Sequence, residues 1–148
     1  MFKHILIPTD GSELSAKAVK QGVGLAKAVG AKVTGFFATP DYNPSTYFGE
    51  GHTLRAPSPK DHAEIWQKTA RKYLSTIEVE AEVEKVPCEI FHTVSDSPYE
   101  AIIDAAKKKK CDLIVMASHG RRGLSALVLG SETHKVLIHS KIPVLVCR

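Results

Sequence analysis

The chain has 148 residues, 43% hydrophobic and 24% charged, a balance that supports one ordinary globular domain closing its own core. It excludes a disordered chain, a collagen-like repeat and a coiled coil, and no stretch reaches the roughly 18 consecutive apolar residues of a membrane span. Twenty Lys and Arg against sixteen Asp and Glu leave a net charge of +4, which favours phosphorylated ligands but is too small to argue for nucleic acid.

The apolar start Ile5-Leu6-Ile7 is broken at once by Pro8, Asp10 and Gly11, so no signal peptide and no membrane partner are expected. Cys88, Cys111 and Cys147 are odd in number and form no C-x-x-C, which fits reduced thiols and a cytoplasmic location. The basic run Lys107 to Lys110 reads as the solvated end of a helix, where cations meet the negative end of the dipole.

In chain order, His4 to Pro8 is a short apolar run bounded by a turn cluster, the pattern of a buried strand. Ser12 then caps a helix whose apolar positions Leu14, Ala18, Gly22, Leu25, Ala26 and Val29 recur at three and four residues until Gly30 stops it. Lys32 to Ala38 is a second strand, which makes the unit β-α-β with a right-handed crossover. From Pro40 to Ser58 periodicity disappears among Pro40, Pro44, Gly49, Gly51 and Pro57. This loop, with Tyr42, Tyr47 and Phe48 expected at the surface, reads either as a ligand-dependent lid or partner surface or as an insertion without a role.

Ser58-Pro59 opens a helix with Ala63, Trp66, Ala70, Tyr73, Leu74 and Ile77 on one face, Trp66 being assigned to the core. Val86 to Val94 is a third strand in which Pro87 marks an edge position or a late start. Ser97-Pro98 opens a helix with Tyr99, Ile102, Ile103 and Ala106 inward. Asp112 to Ala117 is the nearly continuous apolar run of a central parallel strand. A helix from Gly130-Ser131 to His139 and a last strand from Pro143 to Cys147 complete the alternation. The result is a single-domain (1–148), doubly wound α/β fold without internal repeat.

In such sheets ligands bind beyond the carboxyl ends of the strands, at the switch point. Two clusters meet there: Pro8-Thr9-Asp10-Gly11, and Ala117 to Gly123 running on to Gly130-Ser131-Glu132-Thr133. The second ends at a helix start whose amides and positive dipole are ready for an anion, with phosphate the obvious guest. As a bare pattern these glycines serve equally well in a loop that needs positive φ.

Ile5-Leu6-Ile7-Pro8-Thr9-Asp10-Gly11-Ser12, Asp112 to Gly120, and Pro143-Val144-Leu145-Val146 together resemble the universal stress protein family over essentially the full length. The resemblance implies a five-stranded parallel sheet in the order 3-2-1-4-5, Rossmann-like and of the adenine-nucleotide α-hydrolase kind. It also implies a homodimer through the last strand and, for the ATP-binding branch, the motif G-x2-G-x9-G-[ST]. Here Ala117 stands at the first glycine, and Gly120 and Gly130-Ser131 fill the rest. By the same resemblance Pro8, Thr9 and Asp10 lie at the nucleotide, Asp10 at the ribose end. The backbone at Ala38 and Met116 flanks the base, and His119-Gly120-Arg121 with Gly130-Ser131-Glu132-Thr133 surrounds the phosphates.

Ala117 is compatible with a nucleotide if it keeps negative φ. Glu132 would repel a triphosphate if it pointed inward and leaves the site open if it points outward, and Arg121-Arg122 offsets its charge in either case. Asp10 has an alternative role in holding the turn or capping the first helix. His119 has no triad partner beside it, so it reads as a hydrogen-bond donor to phosphate or backbone, and no catalytic residue is assigned. Zinc spacing is absent, whereas Mg2+ arriving with ATP would need only one or two oxygens from Asp10, Ser131 or Thr133. The expected function is an ATP-binding stress-response or signalling protein, a nucleotide-dependent switch or a module for an unidentified protein partner. The rivals are a weak ATP phosphohydrolase or nucleotidyl-transfer protein, and an interaction module that binds no nucleotide.

Overall fold

His4–Pro8 (β1) is buried at all five positions because it is the middle strand of a sheet covered on both sides. The computed structural model describes residues 1–48, 55–121 and 128–148. In them β1 is followed by α1 (Glu13–Val29), β2 (Lys32–Thr39), α2 (Pro59–Glu84), β3 (Cys88–Val94), α3 (Pro98–Lys108), β4 (Leu113–Ala117), α4 (Ser131–His139) and β5 (Val144–Cys147). All strand pairs are parallel and the sheet order is β3-β2-β1-β4-β5, as the sequence and the resemblance implied.

Alternation along the strands divides the core between two faces. Ile5, Ile7, Val33, Phe37 and Val115 pack with α1 and α2 through Val19, Val23, Leu74 and Ile77. Leu6, Phe36, Ile114 and Met116 pack with α3 and α4 through Ile102, Ile103, Ala106 and Val136. The chain therefore leaves β1 toward one face and β4 toward the other, and the switch point falls between these two neighbours.

Local signals set the element ends. The Ser12 side chain accepts from Ser15 N at the start of α1, and Gly30 ends it in the left-handed region at φ 68°. Ser58 accepts from Asp61 N at the start of α2, whose end is turned by Lys85 at φ 57°. β3 is an edge strand and starts at Cys88, after Pro87. Burial pushes the Cys88 and Cys111 thiols up to about 11, which keeps them protonated and unreactive. Among the described residues no helix is long and apolar enough to cross a membrane.

Two expectations on α2 and the segment before it are corrected. Ala63 is exposed and His62 is the buried residue of that turn. Its imidazole is held between the Tyr47 hydroxyl at 2.6 Å and the Pro40 carbonyl at 3.2 Å, partners that make a buried polar ring tolerable. Tyr42 and Tyr47 are accordingly half-buried, and only Phe48 of the three aromatics is exposed. Residues 40–48 include a 3-10 turn, Pro44–Tyr47, capped by the Asn43 side chain, and Tyr42 donates to the Pro57 carbonyl at 2.9 Å. Gly49, Gly51 and His52 lie outside the described residues.

A polar chain crosses the otherwise apolar α3 face. His4, 4% exposed, contacts the Thr34 hydroxyl at 2.6 Å, and that hydroxyl donates to Glu89, which pairs with Lys109 at 2.8 Å. Burial, followed by the Lys32 charge, lowers the His4 pKa from its ordinary value. The unfolded chain thus takes up a proton on this imidazole before the folded one does. The His4 contribution to stability is whole above about pH 6.5 and falls as pH drops through that value toward the lower folded pKa. Urea midpoints measured from pH 7.5 to 5 are expected to decline, and His4→Gln is expected to flatten that slope. An unchanged slope in the variant would assign the acid sensitivity elsewhere.

Candidate functional site

The turn after β1 is held by its own side chains. Thr9 N extends the ladder by donating to the Phe36 carbonyl at 2.9 Å. The Thr9 hydroxyl oxygen accepts from Ser15 Oγ at 2.7 Å and from Gly11 N at 3.2 Å. Asp10 Oδ1 accepts from Ser12 N at 3.0 Å, so Asp10 holds the turn while Ser12 is the cap. Gly11 has φ 76° and the Tyr73 ring lies against it, leaving no room for a side chain.

After β4 the chain is tied to three elements. Ser118 N donates to the Cys147 carbonyl at 2.7 Å, and the Ser118 carbonyl accepts from Gly130 N at 2.8 Å. The Ala117 carbonyl accepts from the buried Thr133 hydroxyl at 2.9 Å. The second oxygen of Asp10, Oδ2, accepts from Arg121 N at 2.8 Å, which binds this loop to the β1 turn. Both motif glycines are required by packing. A side-chain carbon at Gly120 would collide with Asp10 Oδ2, and one at Gly130 would lie 2.9 Å from the His119 α-carbon.

Gly130 is the N-cap of α4 and supplies no side-chain cap, so the first-turn amides of Ser131, Glu132 and Thr133 head the helix without intrahelical partners. Ala117 is not among the residues with positive φ, so its methyl is sterically ordinary. Glu132 is turned toward α3: Oε2 accepts from Tyr99 N in the first turn of α3 at 2.9 Å, and Oε1 pairs with Lys135 at 2.9 Å. It serves α3 because Ser97 makes no side-chain cap there. The Arg121 guanidinium lies 4.8 Å from the Tyr73 ring centroid. His119 Nδ1 is 3.1 Å from the Ser118 hydroxyl.

Pro8, Thr9, Asp10, Ala117, His119, Gly120, Arg121, Gly130, Ser131 and Thr133 therefore gather at the ends of β1 and β4, with Glu132 turned toward α3. Ala38, near the end of β2, packs with Met116 in the α3 and α4 cluster. Arg122 and Gly123 lie outside the described residues. Thr133 and Asp10 have their oxygens engaged within the protein, which leaves Ser131 as the exposed hydroxyl. Sequence reasoning saw Tyr73 and Tyr99 only as positions of apolar helix faces, and Ser118 only as one member of the Ala117 to Gly123 cluster, without the contacts they make. Among the described residues no three His, Cys, Asp or Glu gather as a metal site would require. A cavity of about 380 Å³ at the opposite end of the sheet is bordered by Lys3, Lys27, Lys32 and Lys85. There α1 and α2 end, and the ammonium groups complement their negative dipole ends.

The fold and this turn define a doubly wound α/β domain with a helix start that has no side-chain cap at its switch point. The universal stress protein family model matches residues 1–148, and the chain belongs to that family. It is 33% identical to a universal stress protein of Thermus aquaticus, covering all of both chains. Universal stress protein MJ0531 of Methanocaldococcus jannaschii is 32% identical, with all of this chain and 83% of that one covered. The solved structure of MJ0577 superposes with a TM-score of 0.76 at 27% identity, covering 99% of this chain and 96% of that one. Two more distant family structures share the fold: one in complex with cAMP, TM-score 0.68 at 22% identity over 99% and 97% of the two chains. The other, from Archaeoglobus fulgidus, is in complex with dAMP, TM-score 0.66 at 18% identity over 100% and 98%.

The packing at the two motif glycines gives a direct test. Gly120→Ala and Gly130→Ala should each lower the unfolding free energy by about 1–3 kcal/mol, the range for overpacking a closed contact. Gly24, with open space around it inside α1, should gain about 0.5–1 kcal/mol as alanine. Urea denaturation of the three variants measures the contrast, and equal stabilities would contradict the close approach of Asp10 and His119.

Proposed function

We propose that the protein binds an adenine nucleotide, ATP in the first instance, across the ends of β1 and β4, and acts as a nucleotide-dependent switch or partner-binding module. The observation that carries this reading is the uncapped start of α4 directly behind the β4 turn, a set of amide donors at a positive helix end that suits phosphate. Arg121 and the exposed Ser131 hydroxyl add donors of the same kind. Two features of the sequence that weighed against a nucleotide are relieved: Ala117 lies outside the positive-φ set, and the Glu132 carboxylate is engaged by Tyr99 N and Lys135. The relatives solved with cAMP and dAMP support the adenine class. Asp10, whose two oxygens each accept one amide, keeps lone pairs for a ribose hydroxyl. Mg2+ would ride on the phosphates with Ser131 as the accessible protein oxygen.

A ligand that binds only the folded state stabilises it by mass action, about 2.7 kcal/mol at a hundredfold excess over Kd, or roughly 5–10 °C in Tm for a domain of this size. ATP with Mg2+ is expected to raise Tm in this graded way. Gly130→Val, checked by circular dichroism to be folded, is expected to lose the shift. No shift at millimolar ATP would leave the interaction module that binds no nucleotide, and steady-state phosphate release measured alongside would identify a slow ATP phosphohydrolase.

The homodimer belongs to the same proposal. β5 is the open edge of the sheet, and Leu145 on it and Leu137 and Ile138 on α4 are exposed. Pro143 and Cys147 turn their carbonyls to β4, so the alternation of a parallel ladder points the Val144 and Val146 amides at the open edge. Sedimentation is expected to find a dimer at micromolar concentration and a monomer for Val146→Pro, which removes one of those donors. A monomeric parent protein would reject the edge pairing.

A further inference from the structure

A cavity of about 330 Å³ opens where the carboxyl ends of β2 and β3 meet the first turns of α2. It lies on the sheet face away from α4, and none of the residues assigned above to the nucleotide lines it. It is lined by Trp66, Tyr42, Pro40, Pro59 and Val94, with Gln67 and His92 beside them. Trp66, which the sequence assigned to the core, is half-buried. It rests on Phe37 with ring centroids 6.2 Å apart and borders the cavity as well.

These walls are fixed without a ligand. Tyr42 is anchored by its hydrogen bond to the Pro57 carbonyl and stands edge-on to His62 at 5.3 Å. His62 has both ring nitrogens engaged, by Tyr47 and by Pro40, and is held in place between them. Rings held in position by other contacts lose little freedom when a guest arrives.

Apart from the imidazoles of His62 and His92, which also line it, the charge on the cavity wall is one-sided. The chain carries twenty Lys and Arg and a net charge of +4, yet among the described residues no lysine or arginine lines it. Asp41 does, and its amide donates to Asp96 Oδ1 at 3.0 Å, which brings a second carboxylate alongside. Among the described residues neither carboxylate enters an ion pair. Aromatic walls attract cations through the ring quadrupole, and a carboxylate at the rim adds to that attraction. The apolar lining disfavours a strongly hydrated metal ion. An alkylated ammonium group, which carries its charge under a shell of methyl groups, matches both properties.

We propose that this cavity is a second ligand site that takes a small organic cation of the quaternary or alkylated ammonium class. The proposal stands independently of the nucleotide. Trp66 is the single tryptophan of the chain, so its emission reports filling of the cavity directly. Choline is titrated at pH 8 and constant ionic strength, beside the uncharged isostere 3,3-dimethyl-1-butanol.

A saturable change in Trp66 emission with choline is expected, half-complete at roughly millimolar concentration, as suits a partly exposed cation–π site. No saturable change is expected with the isostere. Asp41→Asn, an exposed position, should weaken choline roughly fivefold or more, while Gly130→Val and saturating ATP should leave its affinity unchanged. Tyr42→Leu, followed by calorimetry and confirmed folded, should lose the choline heat. No saturable response, an equal response to the isostere, or full affinity in either Asp41→Asn or Tyr42→Leu would overturn the assignment.

Discussion

The Asp10 carboxylate is the contact on which the carboxyl end of the sheet depends. One oxygen closes the turn after β1 on Ser12 N and the other holds Arg121 N at the start of the loop after β4. The two chain segments that border the switch point are thereby joined by a single side chain. Charge-assisted hydrogen bonds to backbone amides are among the stronger ones available to a protein. The close fit of Gly120 follows from this contact, because the loop can approach the carboxylate only where no side chain intervenes. The same group that would meet a ligand therefore also builds the place where it would sit.

The parallel fold extends this polarity to the whole molecule. Among the described residues each of the α-helices α1 to α4 returns antiparallel to the strands, so their N-termini lie at the carboxyl edge of the sheet and their C-termini at the other. Lysines collect at the second end: Lys3, Lys27, Lys32 and Lys85 around α1 and α2, and Lys107 to Lys110 at the end of α3. The modest net charge is thus distributed along the axis of the helices. The end proposed to receive an anion offers backbone amides and Arg121.

The strands were legible because burial on both faces writes itself as an apolar run: β1 and β4 could be placed to within a residue from Ile5-Leu6-Ile7 and Leu113 to Met116 alone. Helix starts at Ser12 and Ser58 were legible for the equally local reason that a hydroxyl caps a nearby amide. What stayed hidden needs distant partners. His62 is buried in place of Ala63 because Tyr47 and Pro40 satisfy its ring. The start of α3 takes its acceptor from Glu132, 33 residues away, although Ser97 stands at the cap position. The turn after β4 was picked out by its glycines and helix start, whereas Ala38 and Met116 were named only through the family resemblance.

Ser118 is a junction whose position has consequences beyond the turn. Its amide is bonded to the last residue of β5 and its carbonyl to the amide of Gly130, the N-cap of α4, so the edge strand and this helix start share one peptide neighbourhood. A free-energy coupling between two such sites acts equally in both directions. Whatever occupancy of the turn adds to self-association at β5, self-association returns to occupancy. Given the proposed nucleotide site and the proposed dimer, apparent affinity would be a function of protein concentration, and a rise in cellular abundance would by itself tighten the grip on ligand at unchanged ligand supply.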